Sequence, residues 1–143
     1  MKTEQEFEKW AILPACISKA QAMFVAAVAD TDDDDEPGDE MDDYTFAESE
    51  GVAIIPVAGV IGHKLSPVAK MLGAVDALDV MAAVELAADD DDVSTIILDI
   101  DSPGGTVAGI PELAETVEAV QASGTKKIYA YTDSQMASAA YWL

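Results

Sequence analysis

Apolar residues along the chain fall into runs with different periods. In residues 1–29, Trp10, Ile12 and Leu13 precede Pro14, and Ile17, Ala20, Met23, Phe24 and Ala27 then recur at three- and four-residue steps. That spacing predicts an amphipathic helical arm. Residues 52–57, Val-Ala-Ile-Ile-Pro-Val, read as a strand. Pro56 has no N–H to donate, which places it at a sheet edge or near the strand's end. Residues 68–88 keep a helical spacing through Met71, Leu72, Val75, Leu78, Ala82 and Leu86, with Gly73 as a point where the helix breaks in two. Residues 95–100, Thr-Ile-Ile-Leu-Asp-Ile, are a continuous apolar run of the kind buried on both faces of a parallel sheet. A sharp loop follows over residues 101–105. Residues 111–122 predict a helix, with Pro111 in its first turn, Gly124 past its end, and Leu113, Val117 and Val120 as its buried stripe. Residues 127–131 predict another strand, and a further helix begins at Ala137. Strands alternating with helices imply an α/β fold built from βαβ units on a parallel sheet with right-handed crossovers.

Residues 30–50 break this pattern. The run from Asp30 to Glu36 leads into Pro37-Gly38 and four more acidic residues by Asp43, leaving almost nothing to bury. The segment reads as an acidic, disordered linker between the arm and a domain covering residues 51–143. Asp30, Asp32 and Asp34 alternate as in a calcium loop. The sixth loop position, however, holds Asp35 where glycine is needed, and the twelfth holds Met41 where glutamate is needed. No metal site is expected. Asp89–Asp92 read as a solvated helix end.

Charge narrows the partners. Seven basic residues against 28 acidic ones give a formal charge of -21. Such a surface repels phosphate and anionic lipid, so neither nucleic acid nor membrane is an expected partner. Cys16 is the single cysteine, which excludes a disulfide within the chain. The N-terminal residues carry Glu4, Glu6 and Glu8 where a secretory signal needs a basic and then an apolar region, and a cytoplasmic location is expected.

Candidate chemistry sits where strands run into helices, because ligands of open parallel sheets bind beyond the strands' carboxyl ends. Two such loops occur, at residues 101–106 and 132–137. If their strands are neighbours, Gly104 and Gly105 approach Ser138. Ser138 starts a predicted helix, flanked by Ala137, Ala139 and Ala140, so a substrate backbone has room to approach. By itself, serine at this position is most often a cap. Gly104 and Gly105 offer uncovered N–H groups that could hold an oxyanion, but a glycine pair after Ser102-Pro103 is also an ordinary turn. His63, the single histidine, lies in a loop after the first strand and reads as exposed.

The combination is more specific. Residues 98–109, Leu-Asp-Ile-Asp-Ser-Pro-Gly-Gly-Thr-Val-Ala-Gly, with residues 136–142, Met-Ala-Ser-Ala-Ala-Tyr-Trp, resemble the signal peptide peptidase A family of serine peptidases. Its phage and prophage branch, which processes capsid proteins, is the nearest look. Residues 51–61 resemble that family's first strand, residues 87–98 its approach to the glycine loop, and Trp10-Ala-Ile12 the phage branch. The resemblance covers residues 51–143 well and residues 1–50 poorly. It implies a truncated ClpP/crotonase-like fold and a Ser-Lys dyad endopeptidase acting on scaffold, portal or capsid proteins in the host cytoplasm or prohead. Ser138 matches the nucleophile, and Gly104 with Gly105 the oxyanion loop. The general-base lysine is expected several dozen residues past the nucleophile, beyond Leu143, so the chain alone is expected to be inactive. Lys126 and Lys127 are poor substitutes. No cofactor is implied, and a homo-oligomer is expected of a full-length protein. Alternatives are a bacterial signal-peptide peptidase-like or ClpP-like subunit, a crotonase-type acyl-CoA enzyme, and a non-catalytic acidic assembly module.

Overall fold

A computed structural model describes residues 10–12 and 47–143. The chain is α/β. One sheet has the order β2-β3-β6-β8 and comprises β2 (Ala47–Ser49), β3 (Val52–Ala58), β6 (Thr95–Asp101) and β8 (Lys127–Tyr131). β3, β6 and β8 run parallel, and β2 pairs antiparallel with the start of β3. The second sheet has the order β1-β7-β4-β5, from β1 (Trp10–Ile12), β7 (Gly104–Thr106), β4 (Val60–Gly62) and β5 (Ala74–Asp76). The helices are α1 (Pro67–Met71), α2 (Ala77–Asp89), α3 (Ile110–Ser123) and α4 (Ala139–Trp142).

Helices α2 and α3 pack together on one face of the first sheet. Val80, Val84, Leu113 and Val117 meet Ile55, Val57, Leu98 and Ile100 there, all inside one buried cluster. The helix at residues 111–122 and the strand at residues 127–131 form as their patterns predict. Gly73 does split the segment at residues 68–88: its φ of 88° ends α1, and strand β5 intervenes before α2. Pro56 pairs with Asp99 of β6, two residues beyond Ile54, the last β3 residue in register with β2 among the described residues.

Four expectations change. β6 is not buried on both faces: Ile96, Leu98 and Ile100 are buried, but Asp99 and Asp101 are exposed. Carboxylates at alternate positions turn one strand face to solvent. Residues 101–105 are not an open loop, since Gly104 and Gly105 belong to β7, between β1 and β4. Trp10–Ile12, inside the segment expected to be helical, is a strand paired with β7. Pairing with a partner strand outweighs local helical spacing over so few residues. Strand β2 likewise takes Ala47–Ser49 out of the expected linker. The remainder of the arm and linker, including Cys16 and the Asp30–Asp34 alternation, lies outside the described residues. No helix among the described residues is long and apolar enough to cross a membrane.

Loops are tied down by two polar staples. The Asp76 carboxylate, 3% exposed, accepts from the Lys64 N–H at 3.2 Å, the Leu65 N–H at 2.5 Å and the Leu78 N–H at 3.0 Å. It thereby caps α2 and anchors the loop after β4. Lys126 Nζ donates to the carbonyls of Asp90 and Val93, at the entrance of β6.

The one-sided core makes a direct prediction for urea unfolding. Ile100→Ala should cost about 2–5 kcal/mol, whereas Ile54→Ala, on the open face of β3, should cost less than about 1.5 kcal/mol. Equal losses at the two positions would contradict the burial described.

Candidate functional site around Ser138

Ser102 organises the rim of the first sheet. Its side chain is fully buried, and its hydroxyl donates to the Gly59 carbonyl at 2.6 Å while accepting from the Gly104 N–H at 3.1 Å. Its own N–H donates to the Gln135 carbonyl at 2.7 Å, and its carbonyl accepts from the Ala137 N–H at 3.2 Å. A parallel bridge therefore joins Ser102 to Met136, just past the ends of β6 and β8. Three segments meet at this one residue: the turn after β3, the glycine strand β7, and the approach to Ser138. Helix α4, which Ser138 precedes, packs against β7. The two strand-exit loops therefore emerge side by side, as neighbouring parallel strands require.

Ser138 differs from a capping serine. Ser66, at the start of α1, has φ -67° and ψ 156°, and its hydroxyl accepts from the Ala69 N–H. Ser138 has φ 56° and ψ -117°, and its hydroxyl makes no capping hydrogen bond. That backbone geometry is that of the first central residue of a type II′ turn, where glycine is the residue without strain. A serine held there stores conformational energy of order 1–3 kcal/mol. It is held because both sides are fixed: the Ala137 N–H is bonded to Ser102, and Ala139 and Ala140 are fully buried. Ser138 itself is exposed.

Gly105 explains how close β7 runs to its neighbour. A Cβ built there would lie 1.7 Å from the Ile61 carbonyl oxygen, which no side chain can occupy. The Gly104 N–H, by contrast, is engaged by the Ser102 hydroxyl.

No described lysine is hydrogen-bonded to Ser138. Lys126 is bound at the opposite end of the sheet, Lys127 is exposed at the start of β8, Lys70 pairs with Asp79 at 2.8 Å, and Lys64 is exposed after β4. His63 is half-buried rather than exposed, because it packs on Gly109, and its Nδ1 has no hydrogen-bond partner. No group of three or more His, Cys, Asp or Glu among the described residues is arranged to hold a metal ion. Sequence reasoning missed Ser102 and Asp76. Asp76 had a visible signal, an Asp directly before an apolar helical run, whereas Ser102 looked like part of an ordinary turn.

Two phage head-assembly proteins resemble the chain. The head-tail preconnector protein GP5 of Enterobacteria phage P21 is 31% identical over 93 residues, 65% of this chain and 18% of that protein. The capsid assembly protease C of Escherichia phage lambda is 29% identical over 115 residues, 80% of this chain and 25% of that protein. The chain thus spans a quarter or less of the length of these curated relatives. No family model matches it. The relationship is distant and reaches a phage capsid-protease-related group.

Two substitution sets check this geometry. Ser66→Ala should cost about 1 kcal/mol through loss of its cap, while Ser138→Ala should be close to neutral and Ser138→Gly should raise stability by about 0.5–1 kcal/mol. A loss at Ser138→Gly would mean that the residue is an unstrained cap. Ser102→Ala should cost about 1–3 kcal/mol and speed hydrogen exchange at the Gly104 amide, since it leaves buried partners unsatisfied.

Proposed function

We propose that the chain is the nucleophile-bearing part of a ClpP/crotonase-like serine endopeptidase of the signal peptide peptidase A type, acting on scaffold, portal or capsid proteins during phage head assembly. The observation that carries this reading is the strained, uncapped backbone of Ser138, stitched through Ser102 to the glycine strand. A nucleophile on a tight turn between a strand and a helix has its hydroxyl lifted clear of the backbone, which is the reason such turns recur in hydrolases. The names of the two phage relatives point the same way. Residues 51–143, with β2 added to them, form the front portion of the peptidase domain.

In this reading the Ser138 Oγ attacks a peptide carbonyl carbon as a lysine amine takes the hydroxyl proton. Gly104 and Gly105 amides hold the oxygen that becomes negative. The C–N bond then breaks, and the same proton passes to the departing amine. Water hydrolyses the acyl-enzyme, releasing a carboxylic acid and restoring the hydroxyl. No described lysine is hydrogen-bonded to Ser138, so this reading draws the lysine from a segment other than the described ones. It needs burial to lower its pKa, so that it is a free amine near neutrality. The working protein is a homo-oligomer located in the host cytoplasm or prohead.

Chemical rescue tests the assignment. Without an added base, a fluorophosphonate probe should label the chain slowly. Methylamine should accelerate labelling by about tenfold or more, part of the ~10²–10⁴ that a positioned base supplies. Peptide mapping should place the label on Ser138, and Ser138→Ala should abolish it. Labelling that ignores the amine, or that falls on exposed Ser134 equally, would favour a non-catalytic assembly module instead.

A further inference from the structure

The first sheet has a face that the peptidase reading does not use. Among the described residues, helices α2 and α3 cover one side only. On the other, register places Ile54 beside Ile97 beside Tyr129, and Asp99 beside Tyr131, with Asp101 two residues further along β6. Ile54 is 38% exposed, Tyr129 55% and Tyr131 54%, and both aspartates are exposed. Parallel sheets are nearly always covered on both faces. Single exposed apolar residues are ordinary, but a row in register across three strands is a contiguous patch. Tyrosine is among the residues enriched as anchors in protein interfaces.

Charge selects the occupant. A second copy would set Asp99 and Asp101 against the same acids, with Lys127 as the one basic residue on this face among the described residues, in a chain of charge -21. Such like-charge contacts oppose self-association. The face instead complements a surface that is apolar at one point and basic beside it. Ile97, Asp99 and Asp101 point to the same side at two-residue steps along β6, roughly 6.6 Å apart. An extended segment lying along β6 meets them with every second side chain.

We propose that this open face docks a partner polypeptide with an apolar-x-basic-x-basic pattern. The apolar residue lies against Ile97 and Tyr129, and the two basic residues pair with Asp99 and Asp101. Ser138 takes no part in this contact, so the proposal stands or falls independently of the peptidase reading.

Fluorescence anisotropy with the 143-residue chain tests it. The probe is a short synthetic peptide built from Leu-Ser-Lys-Ser-Lys repeats, and the control has the same composition with its lysines clustered at one end. The patterned peptide should bind about tenfold more tightly than the control. Asp99→Asn with Asp101→Asn should weaken it about tenfold, and Tyr129→Ser by a similar factor. Asp91→Asn with Asp92→Asn, in the turn before β6, should change nothing, and circular dichroism would verify that each variant is folded. Equal binding of the two peptides, or binding unaffected by the face variants, would overturn the proposal. So would sedimentation showing a dimer of the unliganded chain that Tyr129→Lys dissociates, because a second copy would then occupy the face.

Discussion

The rim of the molecule depends on one buried hydroxyl. A serine side chain taken fully out of water loses its hydrogen bonds to solvent, and the loss must be made good inside the protein. Ser102 does this with a donor and an acceptor drawn from different segments, Gly59 and Gly104. Its main-chain groups are also both used, by Gln135 and Ala137. Four bonds therefore hold three stretches of chain that are far apart in sequence. The position of Ser138 follows from them: the chain reaches Ala137 already bonded, must enter buried Ala139 directly, and has one residue in which to change direction. The unusual dihedral angles of Ser138 are the consequence of those two fixed ends.

This explains why the meeting of the two strand exits, but not the geometry there, was legible in the sequence. The pairing of a glycine loop with Ser138 was readable because both follow strong strand signals, and parallel neighbours bring their exits together. The strand at residues 127–131 and the helix around Leu113 and Val117 were readable for the same reason: each is long enough for its own period to identify it. The three-residue strands were not. β4, β5 and β7 have no periodicity to detect at that length, and they exist because a partner lies alongside. Gly104 and Gly105 consequently looked like a loop. Trp10–Ile12 looked like the beginning of a helix, since nothing local announces that its partner is Thr106.

One misreading had its remedy in plain view. Residues 95–100 read as buried on both sides because their apolar residues are consecutive. Asp99 and Asp101, the latter just past that run, stand at alternate positions, and alternation is the signature of a strand with one wet face. Ile97 precedes them in the same phase, so its neighbours across the sheet, Ile54 and Tyr129, share that side. A consecutive apolar run and an alternating acidic pair give conflicting readings of one strand. The acids decide, because an unpaired carboxylate costs far more to bury than an isoleucine costs to expose.

Parallel topology also separates Lys126 and Lys127 from the candidate nucleophile. All three long strands enter at one rim and leave at the other. At the entry rim, Lys126 donates to the carbonyls of Asp90 and Val93, the first of which also accepts from the Val93 N–H at 3.2 Å. Ser138 lies beyond the exit rim. β8 alone has five residues, so it sets the two rims about 13 Å apart at 3.3 Å per residue. Freeing Lys126 would forfeit both of its carbonyl bonds and still leave its amine on the wrong side of the sheet. In the proposed peptidase reading, a base for Ser138 therefore approaches from the exit rim. The same rim carries Asp101 at the end of β6, and a carboxylate nearby would favour the charged form of an incoming lysine. Burial against the apolar flank of Ala139 and Ala140 would have to outweigh that effect for the amine to accept a proton near neutral pH.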